Sequence, residues 1–302
     1  MTFEEYIHIL YRDSEDSPKN RDFRENLCDL AYTAADCDFT YRFDLGTINE
    51  LKKDSRLPII SAKDTFTRVV ALMDWVTEHT QYSGYSNLGP SKLDEILDFG
   101  LDRGFDGAIN CANKAILLSD VLLVNDIYAM PVWLENKIYD YRKPTFGDST
   151  CHVIVHAYLP EHEKWVLLDP SFNAYFTDRA GNLLNLFEVS ALSDRPQDIR
   201  VCNYNLNGTD KFAERYLEAF LLKALYILSV FEGVKKLTSL GGSLRSAIPC
   251  RYEEECAELL VAAKTSNEEA LKKIADELSW NHRPTINARD LLRKPKLEQP
   301  GR

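Results

Sequence analysis

The sequence predicts an α+β fold in which a cysteine-bearing helix packs on an antiparallel sheet, with helical segments at both ends of the chain. Three observations lead to this prediction. Residues 112–124 form an apolar run with almost no polar face, which is typical of a helix buried on nearly all sides. Residues 151–159 and 165–169 have the composition of two strands joined by a short polar turn. Helical periodicity marks both flanks.

Composition limits the class of protein. With 302 residues, 45% of them hydrophobic, the chain can bury the core of one large or two modest domains. We expect a helical segment over residues 1–57, a core over 58–206, a helical segment over 207–284 and a flexible tail over 285–302. A net charge of −11 argues against a nucleic-acid partner and against an anionic membrane surface. The oligomeric state stays open.

The cysteines and the start of the chain suggest a compartment. Seven cysteines with no C-x-x-C pair predict neither a disulfide framework nor a zinc site. The residues after Met1 are acidic where a signal peptide is basic, and no stretch reaches the ~20 apolar residues of a membrane span. We therefore expect a reduced, cytoplasmic protein with no membrane partner.

Helical patterns dominate the flanks of the predicted core. Apolar stripes predict helices at about residues 2–13 and 22–35. Asp64 is a favourable N-cap residue for a further helix that ends near His79, where Gln81 and Tyr82 break the pattern. Beyond residue 206, the patterns predict a long helix over 210–233. Two charged amphipathic helices over 253–264 and 268–278 follow it.

The central helix begins at a cysteine. Gly107 permits a tight turn and Asn110 is a favourable N-cap residue, so Cys111 falls in the first turn. Unpaired backbone N–H groups and the positive end of the helix dipole favour thiolate over thiol at this position. Cys111 is therefore a candidate nucleophile. The alternative is a small apolar core residue, which is the commoner role of a buried cysteine.

A predicted hairpin downstream brings an imidazole to a carboxylate. His152 opens a strand that Pro160 ends, and Asp169 closes the next strand. Antiparallel pairing places these two strand ends side by side. A carboxylate beside an imidazole fixes the tautomer of the ring and supports its charged form. Cys111, His152 and Asp169 therefore suit the roles of nucleophile, base and orienting group.

His156 is a competing base, because residues four apart on a strand face the same side of the sheet. We favour His152, since a base at a strand end reaches a helix N-terminus more easily than a base in mid-strand. A metal site formed by His152, His156 and Asp169 is a further alternative. The two histidines are too far apart along a strand for comfortable chelation, so we expect no metal.

The motifs around these residues resemble those of the transglutaminase-like superfamily, a papain-related cysteine fold. The superfamily pattern is a cysteine at a helix start, a His-Ala-Trp-Val-Glu-Val-Tyr-like strand and a Trp-Val-x-x-Asp-Pro segment. The counterparts here are Asn110-Cys111-Ala112, residues 152–158 (His-Val-Ile-Val-His-Ala-Tyr) and residues 165–170 (Trp-Val-Leu-Leu-Asp-Pro). The resemblance spans about residues 61–192, and the spacing of the three motifs is ordinary for bacterial members.

The resemblance implies a papain-like core with a Cys111–His152–Asp169 triad. Its implied chemistry is thiol-dependent acyl transfer or hydrolysis at a peptide or protein amide, with no cofactor. In the superfamily, the helix before the cysteine helix ends near the active site, so Gln81 and Tyr82 become candidate oxyanion donors. Further candidates for lining the site are Asn110, His156 and Asn173.

Two departures from the superfamily pattern bear on the activity. Ala112 follows the cysteine where the protein-crosslinking enzymes have Trp, and Ile154 replaces the usual aromatic residue of the strand. These departures concern the crosslinking activity rather than the triad. We therefore expect a cysteine amidase or peptidase. The alternatives are a protein-glutamine acyltransferase (a transglutaminase) and a non-catalytic interaction scaffold with the same fold.

Overall fold

The structure is a computed structural model of the chain. It describes residues 41–84, 86, 88, 92–135, 151–192, 195–211, 213–217, 221, 227–231, 234–235, 244–247 and 292–298. The helices predicted at about 2–13, 22–35, 253–264 and 268–278 lie outside these residues. Within the described residues, no helix combines the length and the apolar character needed to cross a membrane.

The part of the chain that the structure describes contains ten strands. They are β1 (Arg42–Asp44), β2 (Ala129–Glu135), β3 (Cys151–Leu159), β4 (Lys164–Asp169), β5 (Ala174–Asp178), β6 (Ile199–Cys202), β7 (Ile227–Phe231), β8 (Val234–Lys235), β9 (Leu244–Ala247) and β10 (Lys296–Glu298). Seven strands form an antiparallel sheet in the order β6-β5-β4-β3-β2-β7-β9, and β10-β1-β8 form a small parallel sheet. Helices accompany the sheet, which confirms the α+β class.

Six α-helices lie in the same described ranges: α1 (Leu45–Leu51), α2 (Thr65–His79), α3 (Leu93–Gly100), α4 (Cys111–Val124), α5 (Leu186–Ala191) and α6 (Ala213–Tyr216). The predicted cap of α2 is confirmed, because the Asp64 carboxylate accepts a hydrogen bond from the Thr67 backbone N–H at 2.7 Å. Such a cap supplies a partner for one of the unpaired N–H groups at the start of a helix.

Helix α4 lies at the centre of the core. Every residue of α4 after Cys111 is buried, and the helix contacts β2, β3, α1, α2 and α3. Burial of each large apolar side chain, such as Leu118 or Leu122, contributes roughly 1.5–3 kcal/mol. The prediction of a helix buried on nearly all sides is therefore confirmed. Its position on β2 and β3 holds its first residue near the start of β3.

The hairpin of β3 and β4 has the predicted antiparallel pairing. The register runs from Leu159 opposite Lys164 to Val155 opposite Leu168. A turn closes the hairpin, with Glu163 in the left-handed region at φ 46°. Because the pairing is antiparallel, the start of β3 and the end of β4 lie at the same end of the hairpin.

The structure corrects two expectations at the C-terminal side. The helix predicted over 210–233 is wrong over Ile227–Phe231, which forms β7 and pairs with β2. The run Ile-Leu-Ser-Val-Phe is rich in β-branched and aromatic residues, and the open edge of β2 supplies its backbone partners. The predicted helical segment 207–284 therefore contains strands β7, β8 and β9.

The expectation of a flexible tail over 285–302 is corrected for residues 292–298. Lys296–Glu298 forms β10 and pairs with β1, and the Arg293 carbonyl accepts a hydrogen bond from Trp165 Nε1 at 2.8 Å. The Trp165 ring is buried, so its N–H needs a partner inside the protein, and this piece of chain provides one.

Candidate active site

Cys111 is the first residue of α4. Asn110 Oδ1 accepts a hydrogen bond from the Asn113 backbone N–H at 3.0 Å, which confirms the predicted N-cap. Asn110 Nδ2 donates to the Leu88 carbonyl at 2.9 Å, so one side chain fixes both the helix start and a neighbouring loop. Cys111 is half-buried and is not part of a disulfide. Its thiol therefore lies at the positive end of the helix dipole, with partial access to solvent.

His152 and Asp169 form a buried pair at the end of the β3–β4 hairpin. Nε2 of His152 lies 2.7 Å from Oδ2 of Asp169, and the two side chains are 1% and 0% exposed. The Ser171 backbone N–H donates to Oδ1 of Asp169 at 3.0 Å, and the Tyr216 hydroxyl donates to Oδ2 at 2.5 Å. Three donors therefore satisfy a carboxylate that has no contact with solvent.

The pKa of His152 reflects opposing effects. Burial alone lowers this pKa. The charge of the Asp169 carboxylate and its hydrogen bond to the ring raise it, and the Cys111 side chain raises it further through a hydrogen bond and its charge. The net direction is upward, which favours an imidazolium beside Cys111. Because Asp169 occupies Nε2, Nδ1 is the ring nitrogen that remains for the sulfur.

The segment of Gln81 and Tyr82 lies next to the residues that precede the cysteine. The Ile109 N–H donates to the Gln81 carbonyl at 2.9 Å, and the Ser83 N–H donates to the Ile109 carbonyl at 2.9 Å. The Tyr82 side chain is buried, and its ring lies 5.6 Å from that of Phe172. The role of Gln81 or Tyr82 as an oxyanion donor stays a prediction.

His156 occupies a different environment from His152. Its Nε2 accepts a hydrogen bond from the Leu186 N–H at 3.4 Å, and its ring lies 6.1 Å from that of Trp165. Burial lowers the pKa of His156 to about 3, so the ring is neutral at physiological pH. Among the described residues, the Asp169 carboxylate accepts hydrogen bonds from His152, Ser171 and Tyr216, and not from His156.

Asn173 binds a carboxylate of α2 rather than a member of the candidate triad. Its Nδ2 donates to Oδ1 of Asp74 at 2.8 Å, and Asn203 Nδ2 donates to the same oxygen at 2.8 Å. Asn173 and Asn203 both have left-handed backbones, at φ 49° and 62°, which Asn tolerates better than most residues. In the described part of the chain, no cluster of His, Cys, Asp and Glu is arranged to hold a metal ion.

Sequence patterns do not identify Tyr216 or Lys114 as neighbours of the site. Tyr216 follows Asp169 by 47 positions and fits the apolar stripe of a predicted helix, so no local signal links the two. Lys114 is fully buried one turn after Cys111, and its Nζ donates to the Thr80 carbonyl at 3.0 Å. A charged residue inside an apolar helix was the available signal for Lys114.

These contacts assemble the parts that thiol chemistry needs. A half-buried thiol at a helix start lies beside an imidazole, which a buried carboxylate orients. No family model, curated protein or solved structure matches the chain. The chemistry of the site is therefore inferred from its geometry and from the motifs in the sequence.

Proposed function

We propose that the protein is a cysteine hydrolase or acyltransferase that acts on a peptide or protein amide, with a papain-like, transglutaminase-like core. The observation that carries the proposal is the buried His152–Asp169 pair, at 2.7 Å, beside Cys111 at the start of α4. We also propose that the protein lies in a reducing compartment, the cytoplasm, since its seven cysteines include no C-x-x-C pair and suggest no disulfide framework.

In the first step, the Cys111 thiolate attacks the carbonyl carbon of the amide and forms a carbon–sulfur bond. The carbonyl oxygen becomes an oxyanion. Backbone N–H groups at the start of α4, together with the helix dipole, are suited to stabilise that charge. The His152 imidazolium then donates its proton to the amide nitrogen, the carbon–nitrogen bond breaks, and an acyl-thioester remains on Cys111.

In the second step, neutral His152 removes a proton from water or from a second amine. The activated nucleophile attacks the thioester, the carbon–sulfur bond breaks, and the thiolate–imidazolium pair is restored. Asp169 orients the ring throughout. Hydrolysis and acyl transfer differ only in whether water or an amine accepts the acyl group, so a transglutaminase reaction is the same scheme with a different acceptor.

The proposal is tested by the reactivity of individual thiols toward iodoacetamide at pH 6, measured peptide by peptide. Cys202 is the matched control, because it is also half-buried and outside any disulfide, and its sulfur contacts the hydroxyls of Thr177 and Tyr175 and the Arg200 carbonyl rather than an imidazole. An ordinary thiol, with a pKa of ~8.5, is under about 1% thiolate at this pH. We expect Cys111 to react at least about tenfold faster than Cys202.

The variant His152→Ala serves as the second arm of this experiment. Removal of the imidazolium should lower the rate at Cys111 and leave the rate at Cys202 unchanged. Equal rates at the two cysteines in the unmodified protein would contradict the nucleophile assignment. That result would favour an interaction scaffold that has the fold without the chemistry.

A further inference from the structure

Tyr216 is the third donor to the buried carboxylate of the candidate triad. Its hydroxyl donates to Oδ2 of Asp169 at 2.5 Å, the same oxygen that lies 2.7 Å from Nε2 of His152. Tyr216 and Asp169 are both 0% exposed, so water cannot replace this donor without a rearrangement. The contact joins α6 to the end of β4.

Aromatic packing fixes the position of the Tyr216 ring. Its centroid lies 4.5 Å from that of Phe172 and 5.4 Å from that of Tyr204. Phe172 also contacts His152, with the two ring centroids 5.8 Å apart. Phe172 therefore contacts both the phenol and the imidazole, and the phenol has little freedom to turn away from Asp169.

The loop before α6 is itself hydrogen-bonded to two segments near the site, one at Phe172 and one at Tyr82. The Asn205 N–H donates to the Phe172 carbonyl at 2.9 Å. The side-chain amide of Asn207 pairs with the backbone of Tyr82, accepting from its N–H at 2.8 Å and donating to its carbonyl at 2.9 Å. These contacts fix the position of the loop, and helix α6, which carries Tyr216 to Asp169, follows directly after it.

We propose that Tyr216 is a positioning residue for the triad, an inference that rests on the proposed function above. The Ser171 N–H holds Oδ1 of Asp169 and the Tyr216 hydroxyl holds Oδ2, so together they fix the plane of the carboxylate. Without the phenol, Oδ2 of Asp169 keeps only its hydrogen bond to His152, so the carboxylate and the imidazole can shift together. His152 then loses part of its support as an imidazolium, and the Cys111 thiolate loses its counter-charge.

The test removes the hydroxyl and keeps the ring. In Tyr216→Phe we expect the pH midpoint of Cys111 alkylation by iodoacetamide to rise by about one pH unit, a tenfold loss of thiolate on the acidic side. The matched control is Tyr204→Phe, which removes a buried hydroxyl from the same cluster, one that does not bond Asp169, and should leave the midpoint unchanged. Thermal unfolding of both variants checks that the fold is retained.

A double variant separates positioning from a structural role. If Tyr216 acts through Asp169, Tyr216→Phe has no further effect on the midpoint in an Asp169→Asn background. An unchanged midpoint in Tyr216→Phe, or equal shifts in Tyr216→Phe and Tyr204→Phe, would overturn the inference. Failure of the proposed function is distinguishable, because Cys111 of the unmodified protein would then react no faster than Cys202.

Discussion

Asp169 illustrates how much of the site depends on one buried group. Its carboxylate accepts hydrogen bonds from the imidazole of β3, from a backbone N–H in the turn after β4 and from the phenol of α6. A carboxylate can only accept hydrogen bonds, and all three partners supply a donor. An amide side chain at this position would bring an N–H of its own against one of these donors. At least one of the three hydrogen bonds would then be lost or formed in the opposite direction.

We predict that Asp169→Asn retains the fold and lowers turnover by roughly 10²–10⁴, by analogy with Ser-His-Asp triads. The Ser171 N–H keeps the amide oxygen at the Oδ1 position, so the amide NH₂ faces Nε2 of His152. That donor selects the tautomer with its proton on Nδ1 and cannot support an imidazolium. Turnover of a peptide amide, together with thermal unfolding, measures the effect, and wild-type turnover in the variant would refute it.

His156 should affect stability and not reactivity. Its folded-state pKa of about 3 lies below the ordinary value, so its contribution to stability is present above about pH 6.5 and is lost as pH falls toward 3. In His156→Gln we expect a shallower loss of unfolding free energy over this range. The exposed His162 provides the control, as His162→Gln.

A comparison of His156→Gln with His152→Gln tests which histidine is the base. Cys111 alkylation at pH 6 should be unchanged in His156→Gln and strongly reduced in His152→Gln. The opposite order would move the base to His156 and reject the proposed alignment of the hairpin with the triad.

At the scale of elements, the Asn207 side chain takes the place of a neighbouring strand. It makes both backbone hydrogen bonds of Tyr82, and Tyr82 in turn pairs with Ile109 just before the cysteine helix. Loss of these two bonds removes the partners that the Asn207 side chain supplies to the N–H and the carbonyl of Tyr82.

We predict that Asn207→Gly destabilises the protein by roughly 1–3 kcal/mol, measured by denaturant unfolding. Glycine is the appropriate replacement, because Asn207 has φ 50° and alanine would add backbone strain. Asn207→Asp keeps the acceptor for the Tyr82 N–H and should lose less stability. Equal stability of Asn207→Gly and the unmodified protein would show that the two Asn207–Tyr82 hydrogen bonds do not stabilise the fold.

Local signals were sufficient for the elements that carry the candidate triad. The Asp64 and Asn110 caps, helix α4 and the β3–β4 hairpin were predictable, because each depends on residues within a few positions of one another. The juxtaposition of His152 and Asp169 follows from antiparallel pairing alone.

The elements that escaped prediction depend on contacts distant in sequence. Ile227–Phe231 is a short apolar run that suits a helix or a strand, and the open edge of β2, about 95 residues earlier, decides between them. Tyr216 reaches Asp169 through the fold of the intervening chain, including the loop held by Asn207. Helical periodicity identifies Tyr216 only as an apolar position.

For the molecule as a whole, we expect stability to depend on pH, because Lys114 is fully buried in helix α4. Burial lowers the pKa of Lys114 to about 7, although the charge of Asp169 acts in the opposite direction. The unfolded chain binds this proton up to about pH 10.4, so Lys114 opposes folding fully below pH 7 and ceases to do so above about pH 10.

We therefore predict that Lys114→Met is more stable than the unmodified protein below pH 7, by an amount on the order of a few kcal/mol. The difference should shrink as pH rises from 7 toward 10. Lys53→Met is the control, since Lys53 is 69% exposed and its replacement should have little effect at any pH. Urea unfolding of both variants from pH 5 to 10 provides the measurement, and a difference independent of pH would contradict the assignment of charge.

The most direct test of the central claim is to trap the acyl group on the nucleophile. The intact protein is treated with p-nitrophenyl acetate in EDTA, and peptide mass spectrometry locates the acetyl group. The account predicts an acetyl-thioester on Cys111 that hydroxylamine removes, that forms more slowly in His152→Ala and that does not form in Cys111→Ser. Acetylation of Cys202 at the same rate as Cys111, or ester hydrolysis that persists in Cys111→Ser, would contradict it.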